Sequence, residues 1–449
     1  MKLRKEATCQ TVGWILTVLM PLVICATAQS TDFSMAVTQA TSARTDFKFD
    51  FGPGQAAPGW IQVLPTTVYS KETGYGFEPE SKVRGVDRGG RNKLRGDFCT
   101  SDGPFYFSVA LPEGNYRVTA TFGDREGRST NTVKAELRRL MLETVSTGRG
   151  KFVARTFIVN TRTPQIPGGD HVHLKPRERT NEMVAWDDKL TIEFNGSRPC
   201  VCSLEISRDD KVPTVFLLGD STVCDQPLEP WNSWGQMLTR FFKPEIAIAN
   251  HAESGEALSS SLGAKRLDKV VSLMKPGDFL LMQFGHNDQK QHGKGVGAFT
   301  TYLATYKHFI EEAKKRGGQP VVVTSMHRKT FNGAGIITNS LGDYPAAAQQ
   351  AALGEDVPVI DLHAMSKVFY EALGVGKVDV AFQDGTHHNN YGSYEIARCV
   401  VEGIREHVPA LAKYLAKDAG RFNPAQPDPP DQFHIPLSAW SSAAKPEGN

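Results

Sequence analysis

The spacing of apolar residues changes period at Pro213, and that change demands two different architectures in one chain. From Thr45 to Arg208 apolar residues recur at every second position. Phe47, Phe49 and Phe51 alternate with polar residues ahead of the turn Gly52-Pro53-Gly54. Phe105, Phe107, Val109 and Leu111 alternate likewise, then Pro112-Glu113-Gly114-Asn115 intervenes, then Tyr116, Val118, Ala120 and Phe122 follow. Two alternating runs around a Pro/Gly turn predict a β-hairpin with one buried face. Leu190, Ile192 and Phe194, and then Cys202, Leu204 and Ile206, continue the pattern. The stretch 45–208 is therefore expected to form an antiparallel β-sandwich.

Beyond Pro213 the apolar residues come in short unbroken runs: Val215 to Leu218, Ile246 to Ile248, Phe279 to Met282, Val321 to Val323 and Val357 to Leu362. Between them lie helical stretches. Phe299, Tyr302, Leu303, Tyr306, Ile310 and Ala313 share one face, with Gly317 as a C-cap, and Tyr394, Ala397, Val401, Ile404 and Val408 share another before Pro409. Strands without alternation, separated by amphipathic helices, predict an α/β domain over 213–420 with a parallel sheet covered on both faces. In such sheets ligands bind at the carboxyl ends of the strands. The Pro- and Ser-rich tail, 423–449, is expected to be a strap or a disordered end.

Two or three domains fit a chain of 449 residues. With 22% charged and 40% hydrophobic residues it is neither disordered throughout nor a polytopic membrane protein. A net charge of +2 removes the main electrostatic argument for a nucleic-acid partner. Lys2, Arg4 and Lys5, the apolar run Val12 to Val23 and Ala26-Thr27-Ala28 form the pattern of a secretory signal peptide, residues 1–28, cut after Ala28. The apolar run is shorter than the roughly 17–25 residues a membrane span needs. The mature chain is thus expected to be secreted or periplasmic, with no membrane partner. It would keep Cys99, Cys200, Cys202, Cys224 and Cys399, an odd number. A metal role for the Cys200/Cys202 pair lacks a second pair, so buried thiols are the expectation.

The strand ends carry the chemistry. The first run ends in Gly219-Asp220-Ser221-Thr222, which can present the Ser221 hydroxyl to a crevice, although Ser and Asp are also common turn formers. The second ends in Asn250-His251-Ala252-Glu253-Ser254-Gly255, where glycine lets a backbone N–H approach a ligand closely, or simply makes a turn. The third ends in Gly285-His286-Asn287-Asp288. The Asn287 amide suits a developing oxyanion, and equally a cap or Asx-turn. Ahead of the last helix stands Asp384-Gly385-Thr386-His387, the spacing of an orienting carboxylate and a base in a serine triad, with His388 as a fallback base. A metal reading would instead gather His286, Asp288, His387 and His388.

Taken in this order, the four blocks resemble those of the SGNH (GDSL-type) hydrolases, from about Thr214 to Val408. Within that superfamily they are most similar to rhamnogalacturonan acetylesterases of the carbohydrate esterase family twelve type. The Phe49-Asp50-Phe51-Gly52-Pro53-Gly54 opening resembles the galactose-binding-type module that precedes some of these esterases. The resemblance implies a three-layer α/β/α hydrolase behind the sandwich. It also implies a nucleophile at Ser221, with His387 as base and Asp384 orienting it. The oxyanion hole would be made by Ser221, Gly255 and Asn287, and no metal or organic cofactor is implied. The implied partner is an acetylated plant cell-wall polysaccharide, rhamnogalacturonan. His286, Trp231 and Trp234 are candidates to line its path, and the two tryptophans equally suit a core. Two departures stand out. Glu256-Ala257 follows the block-two glycine where many members carry arginine and then serine, and Gly-Asp-Ser-Thr replaces Gly-Asp-Ser-Leu. Rival readings are an acetylxylan esterase, a lipase, thioesterase or arylesterase, a metal-dependent hydrolase, and a catalytically inactive carbohydrate-binding protein.

Overall fold

The computed structural model describes residues 44–439, 445, 446 and 448. The expected signal peptide, 1–28, lies outside the described residues, as do some positions near the end of the tail. No helix among the described residues is long and apolar enough to cross a membrane.

The period-two region forms two facing sheets. One runs Phe152–Thr161, Gly114–Gly123, Cys200–Arg208, Phe47–Phe51, Ile61–Val63, with Asp97–Thr100 also on Cys200–Arg208 and Arg84–Asp87 on Asp97–Thr100. The other runs Tyr75–Phe77, Phe105–Ala110, Lys189–Arg198, Ser129–Ala135, Arg139–Thr147. Pairing is antiparallel except between Phe47–Phe51 and Ile61–Val63. The inward residues Phe49, Phe51, Phe105, Phe107, Val118, Phe122, Phe194 and Leu204 meet in one core, with Phe51 and Phe107 rings edge to face at 4.9 Å. One expectation fails. The runs Phe105–Ala110 and Gly114–Gly123 are not a hairpin but lie in opposite sheets. Period two reports that one face is buried, not which strand lies alongside, and these two runs bury their faces in one shared core.

The second region holds a parallel sheet of β1 (Thr214–Gly219), β2 (Ala247–Asn250), β3 (Phe279–Gln283), β4 (Gln319–Val323) and β5 (Val359–Ile360), in spatial order β2-β1-β3-β4-β5. Successive residues of a strand point to opposite layers, which explains the unbroken apolar runs. Val215, Leu217, Phe279 and Leu281 pack with Trp234, Phe369, Ile396 and Val400 on one side. Phe216, Leu218, Leu280 and Met282 pack with Val270, Tyr306, Phe309 and Ala348 on the other. Phe299 departs from its predicted face. The chain from Ala298 to Tyr302 winds as a π-turn ahead of the helix Leu303–Lys315 and leaves Phe299 exposed. β1 lies between strands whose connections run opposite ways across the sheet, the switch point at which such sheets bind ligands beyond their carboxyl ends.

The tail is a strap over its described length. The Phe433 ring packs on Tyr391 and Tyr394. Farther on, Lys134 Nζ donates to the Pro436 carbonyl and to Ser438 Oγ, and Asn195 Nδ2 donates to the Leu437 carbonyl. Sandwich and parallel sheet are also joined by a buried ion cluster. Glu229 pairs with Arg138 at 2.7 Å and Lys134 at 3.1 Å, and accepts from Asn390 Nδ2 and the Ser438 N–H.

Candidate active site

The turn after β1 is built around Gly219, where a Cβ would come within 2.6 Å of Val223 Cγ2 and 2.7 Å of the Gln283 carbonyl, so no other residue fits. The chain then turns back sharply, with the Val223 and Cys224 N–H groups donating to the Asp220 carbonyl, each at 3.0 Å. Ser221 is thereby set at the end of the sheet. Its Oγ lies 2.8 Å from His387 Nε2. His387 Nδ1 lies 2.9 Å and 3.1 Å from the two Asp384 carboxylate oxygens. Because a carboxylate can only accept, Nδ1 carries the proton, Nε2 is free to accept, and the Ser221 hydroxyl donates to it. Asp384 Oδ1 also accepts the backbone N–H of Thr386 and of His387, both at 2.7 Å, and Oδ2 pairs with Lys445 at 2.9 Å. Burial pushes the Asp384 carboxyl up, but His387, the His387 N–H and Lys445 outweigh it and hold the group well below the usual carboxylate range.

His387 is braced from the β1 side. Trp231–Asn232, in the loop after β1, pairs antiparallel with His388–Asn389. The Trp231 ring meets the His387 ring edge to face at 5.9 Å. Gln226 Nε2 donates to the Ser221 carbonyl at 2.7 Å and reaches Ser254 Oγ at 3.5 Å, linking the nucleophile's turn to the loop after β2. In that loop Gly255 has φ +76°, left-handed backbone that favours glycine. Asn287 Nδ2 donates to the Glu256 carbonyl at 3.0 Å, which brings the amide beside the Gly255 loop, and its Oδ1 accepts from Lys290 at 2.8 Å. The N–H groups of Ser221 and Gly255 donate to no described residue, so both are available to a ligand. The described end of the tail also reaches this place: the Gly448 carbonyl lies 3.1 Å from where a Cβ on Gly255 would stand.

Several expected residues sit elsewhere. Trp234 is 1% exposed in the core, and its Nε1 donates to Gln283 Oε1 at 2.8 Å, so it lines nothing. Trp231 is buried against His387 and supports the base rather than offering a face to a ligand. His286 is also buried. Its Nδ1 lies 3.1 Å from Asp220 Oδ2 and its Nε2 3.0 Å from the Met326 carbonyl, so both nitrogens face acceptors and the ring is scaffold. His388 is not the base. Its Nε2 meets the Tyr370 hydroxyl at 3.0 Å, and burial, with His387 beside it, lowers the ring to about 3. Asp288 caps the start of the earlier helix Leu258–Gly263 through the Leu258 N–H, and burial raises its carboxyl to about 7. Among the described residues no group of three or more His, Cys, Asp or Glu is disposed to hold a metal ion. All five cysteines from Cys99 onward are buried and free.

Other residues of the site escaped the sequence reading. Asp220 accepts from Thr222, whose hydroxyl accepts from Gln283 Nε2, so a buried chain runs from the nucleophile's turn to β3 and Trp234. The place of Asp220 inside the first block was the available signal. Lys175 and Arg177, in the irregular stretch ahead of Lys189–Arg198, donate to the Ser254 carbonyl, and nothing local in the sequence marks them.

Comparison with known proteins agrees with this geometry. Residues 217–393 match the GDSL-like Lipase/Acylhydrolase family, and residues 47–153 match the Beta-agarase/YXIM esterase-like, galactose-binding domain-like family. The chain is 37% identical over 224 residues to rhamnogalacturonan acetylesterase RhgT of Bacillus subtilis, covering 46% of this chain and 96% of that one. It is 27% identical over 378 residues to the uncharacterized esterase YxiM of the same organism, covering 80% and 90%. To the rhamnogalacturonan acetylesterase of Emericella nidulans it is 25% identical over 223 residues, covering 45% and 89%. A serine held by an oriented histidine at the end of a parallel sheet, in a chain with these relatives, belongs to the GDSL-like (SGNH) family of carboxylic-ester hydrolases.

Proposed function

We propose that the chain is a secreted carbohydrate esterase that removes O-acetyl groups from pectic rhamnogalacturonan through an acetyl-serine intermediate. The observation that carries the chemistry is the unbroken relay Ser221 Oγ, His387 Nε2, His387 Nδ1, Asp384, at 2.8 Å and 2.9 Å. Ser221 attacks the acetyl carbonyl while His387 takes its proton, and Asp384 stabilises the imidazolium. The carbonyl oxygen becomes an oxyanion held by the N–H groups of Ser221 and Gly255 and by Asn287 Nδ2. The C–O bond to the sugar breaks, and His387 returns the proton to the leaving alkoxide. Water then attacks the acetyl-serine by the same route, and acetate leaves with Ser221 restored. No step calls for a metal or organic cofactor.

The substrate assignment is supported by the names of relatives that match about 45% of the chain over nearly their whole length. Lys290, exposed and bonded to Asn287, sets a cation at the crevice that suits a uronate carboxylate. Secretion is supported by the pattern of residues 1–28. Acetate release tests the proposal across acetylated rhamnogalacturonan, acetylxylan and long-chain 4-nitrophenyl esters, with Ser221→Ala as control. Rhamnogalacturonan should be preferred and the variant should fall to background. Preference for xylan or for long acyl chains overturns the substrate, and near-native release by Ser221→Ala overturns the nucleophile.

A further inference from the structure

The loop carrying Gly255 is held from outside the parallel-sheet region. Lys175 and Arg177 belong to the stretch after Asp170–His171, which docks on the hydrolase where the His173 N–H donates to the Ala264 carbonyl at 3.0 Å. The dock is locked by Glu178, which accepts from the Lys175 N–H at 2.8 Å and from the buried Arg266 at 2.6 Å. From there Lys175 Nζ donates to the Ser254 carbonyl at 2.7 Å and pairs with buried Glu256 at 2.8 Å. Arg177 donates through Nη2 to the same carbonyl, and through Nε to Glu253 at 2.8 Å.

The Ser254 carbonyl and the Gly255 N–H belong to one trans peptide, so they point in opposite directions from one rigid plane. Two cationic donors on the oxygen fix that plane and draw electron density toward it. Charge-assisted bonds are about twice as strong as neutral ones, and bonds in series polarise one another. The N–H on the far side becomes a stronger donor that is already aimed. We infer that Lys175 and Arg177 are positioning residues of the oxyanion hole, supplied by the sandwich to the Ser254–Gly255 peptide. This rests on the proposed role of Gly255. It makes the N-terminal region part of the catalytic apparatus.

The test uses the full chain, 4-nitrophenyl acetate as substrate and methylboronic acid as a tetrahedral mimic on Ser221. Lys175→Met, whose side chain is partly exposed, should lower kcat about 5- to 10-fold. Lys175→Met with Arg177→Gln should lower it up to about 10²-fold, the lower end of losing an oxyanion donor outright. KM should stay within about twofold, boronate affinity should fall by the same factor as kcat/KM, and Lys175→Arg should restore most of the loss. Melting temperature is followed throughout. If the double variant does not fold, Lys175→Met decides alone. Unchanged kcat in a folded variant overturns the inference, as does raised KM with kcat intact or lost kcat with boronate affinity preserved. Ser221→Ala and Asn287→Ala run alongside. Activity surviving in those two would overturn the reading of the site itself, whereas their loss beside intact Lys175 and Arg177 variants would overturn this inference alone.

Discussion

Replacing Asp384 with asparagine turns one acceptor oxygen into an NH₂ donor with almost no change of volume, and the hydrogen bonds around Asp384 say where the His387 ring proton then goes. Oδ1 accepts two backbone N–H groups at 2.7 Å each, from Thr386 and His387. An amide NH₂ cannot take that place without facing two donors, so the asparagine oxygen must keep it. The NH₂ then occupies the Oδ2 position, 2.9 Å from His387 Nδ1 and 2.9 Å from Lys445. A donor now faces Nδ1, so Nδ1 must accept, and the ring proton moves to Nε2. An Nε2 that carries a proton cannot take the one on Ser221, whose Oγ lies 2.8 Å away.

The expected loss in kcat is therefore about 10⁴, the cost of holding a triad histidine in the wrong tautomer. Asp384→Ala removes the orienting charge but leaves both tautomers open, so it should be the milder variant. The assay is initial-rate hydrolysis of 4-nitrophenyl acetate at saturating substrate, with burst kinetics to count acylated serine. Asn at least as active as Ala would refute the reasoning, because ring orientation rather than tautomer would then control the base. Loss of less than about tenfold in both variants would remove Asp384 from the mechanism altogether.

Asn287→Ala should lower kcat about 10²–10³-fold with KM little changed, measured on the same ester. Glu229→Gln should destabilise the fold by about 3–5 kcal/mol in urea melts, because it removes the counter-charge of buried Lys134 and Arg138. Burial alone would raise the Glu229 carboxyl, but Arg138 and Lys134 hold it below its usual 4.5. A carboxyl lowered on folding adds stability that is present above the unfolded value and lost as pH falls through the folded one. Wild type should thus lose stability below about pH 4.5, and Glu229→Gln should flatten that limb. Trp234→Ala should cost about 3–5 kcal/mol in the same melts, because the ring fills the core and donates to Gln283. Dithiothreitol should leave the melting temperature unchanged, and the five free cysteines should react with a thiol reagent only after denaturation.

What could be read in advance was local. Asp384 and His387 stand three residues apart, and the turn that joins them is made by those same residues, so spacing alone carried the geometry. Ser221 and Asn287 follow unbroken apolar runs whose both-sided burial marks parallel strands, and strand ends are where such sheets bind ligands. Pairing across distance was not legible. Phe105–Ala110 and Gly114–Gly123 show the alternation of a hairpin, yet they lie in different sheets around one core, because alternation carries no information about neighbours. Trp234 and His286 lie beside the motifs in sequence and are buried in space. An aromatic or imidazole next to a catalytic block reads the same whether it points into the crevice or into the core.

Glu256 shows how a local departure acquires meaning from long-range packing. As a sequence feature it breaks the arginine-then-serine pattern expected after the block-two glycine. In the fold it is a buried anion that would cost several kcal/mol unpaired. It is paired by Lys175 at 2.8 Å, with Arg266 at 3.5 Å, and the same Lys175 ammonium caps the Ser254 carbonyl, in the same peptide as the Gly255 N–H. Arg266 supplies one cation to the acidic residue at this position, and the stretch ahead of Lys189–Arg198 brings the nearer one, Lys175. Sandwich and hydrolase are then bound to each other by the requirements of the site as well as by the Glu229 cluster and the strap. Cutting the chain near Pro213 should leave a hydrolase whose Glu256 keeps only Arg266 and whose Gly255 loop has lost the Lys175 and Arg177 bonds. Expressed alone, 213–449 should show a kcat deficit larger than the Lys175→Met variant, and adding the separate sandwich in trans should recover part of it. A truncated hydrolase with full kcat would show that the hydrolase region holds its own oxyanion loop.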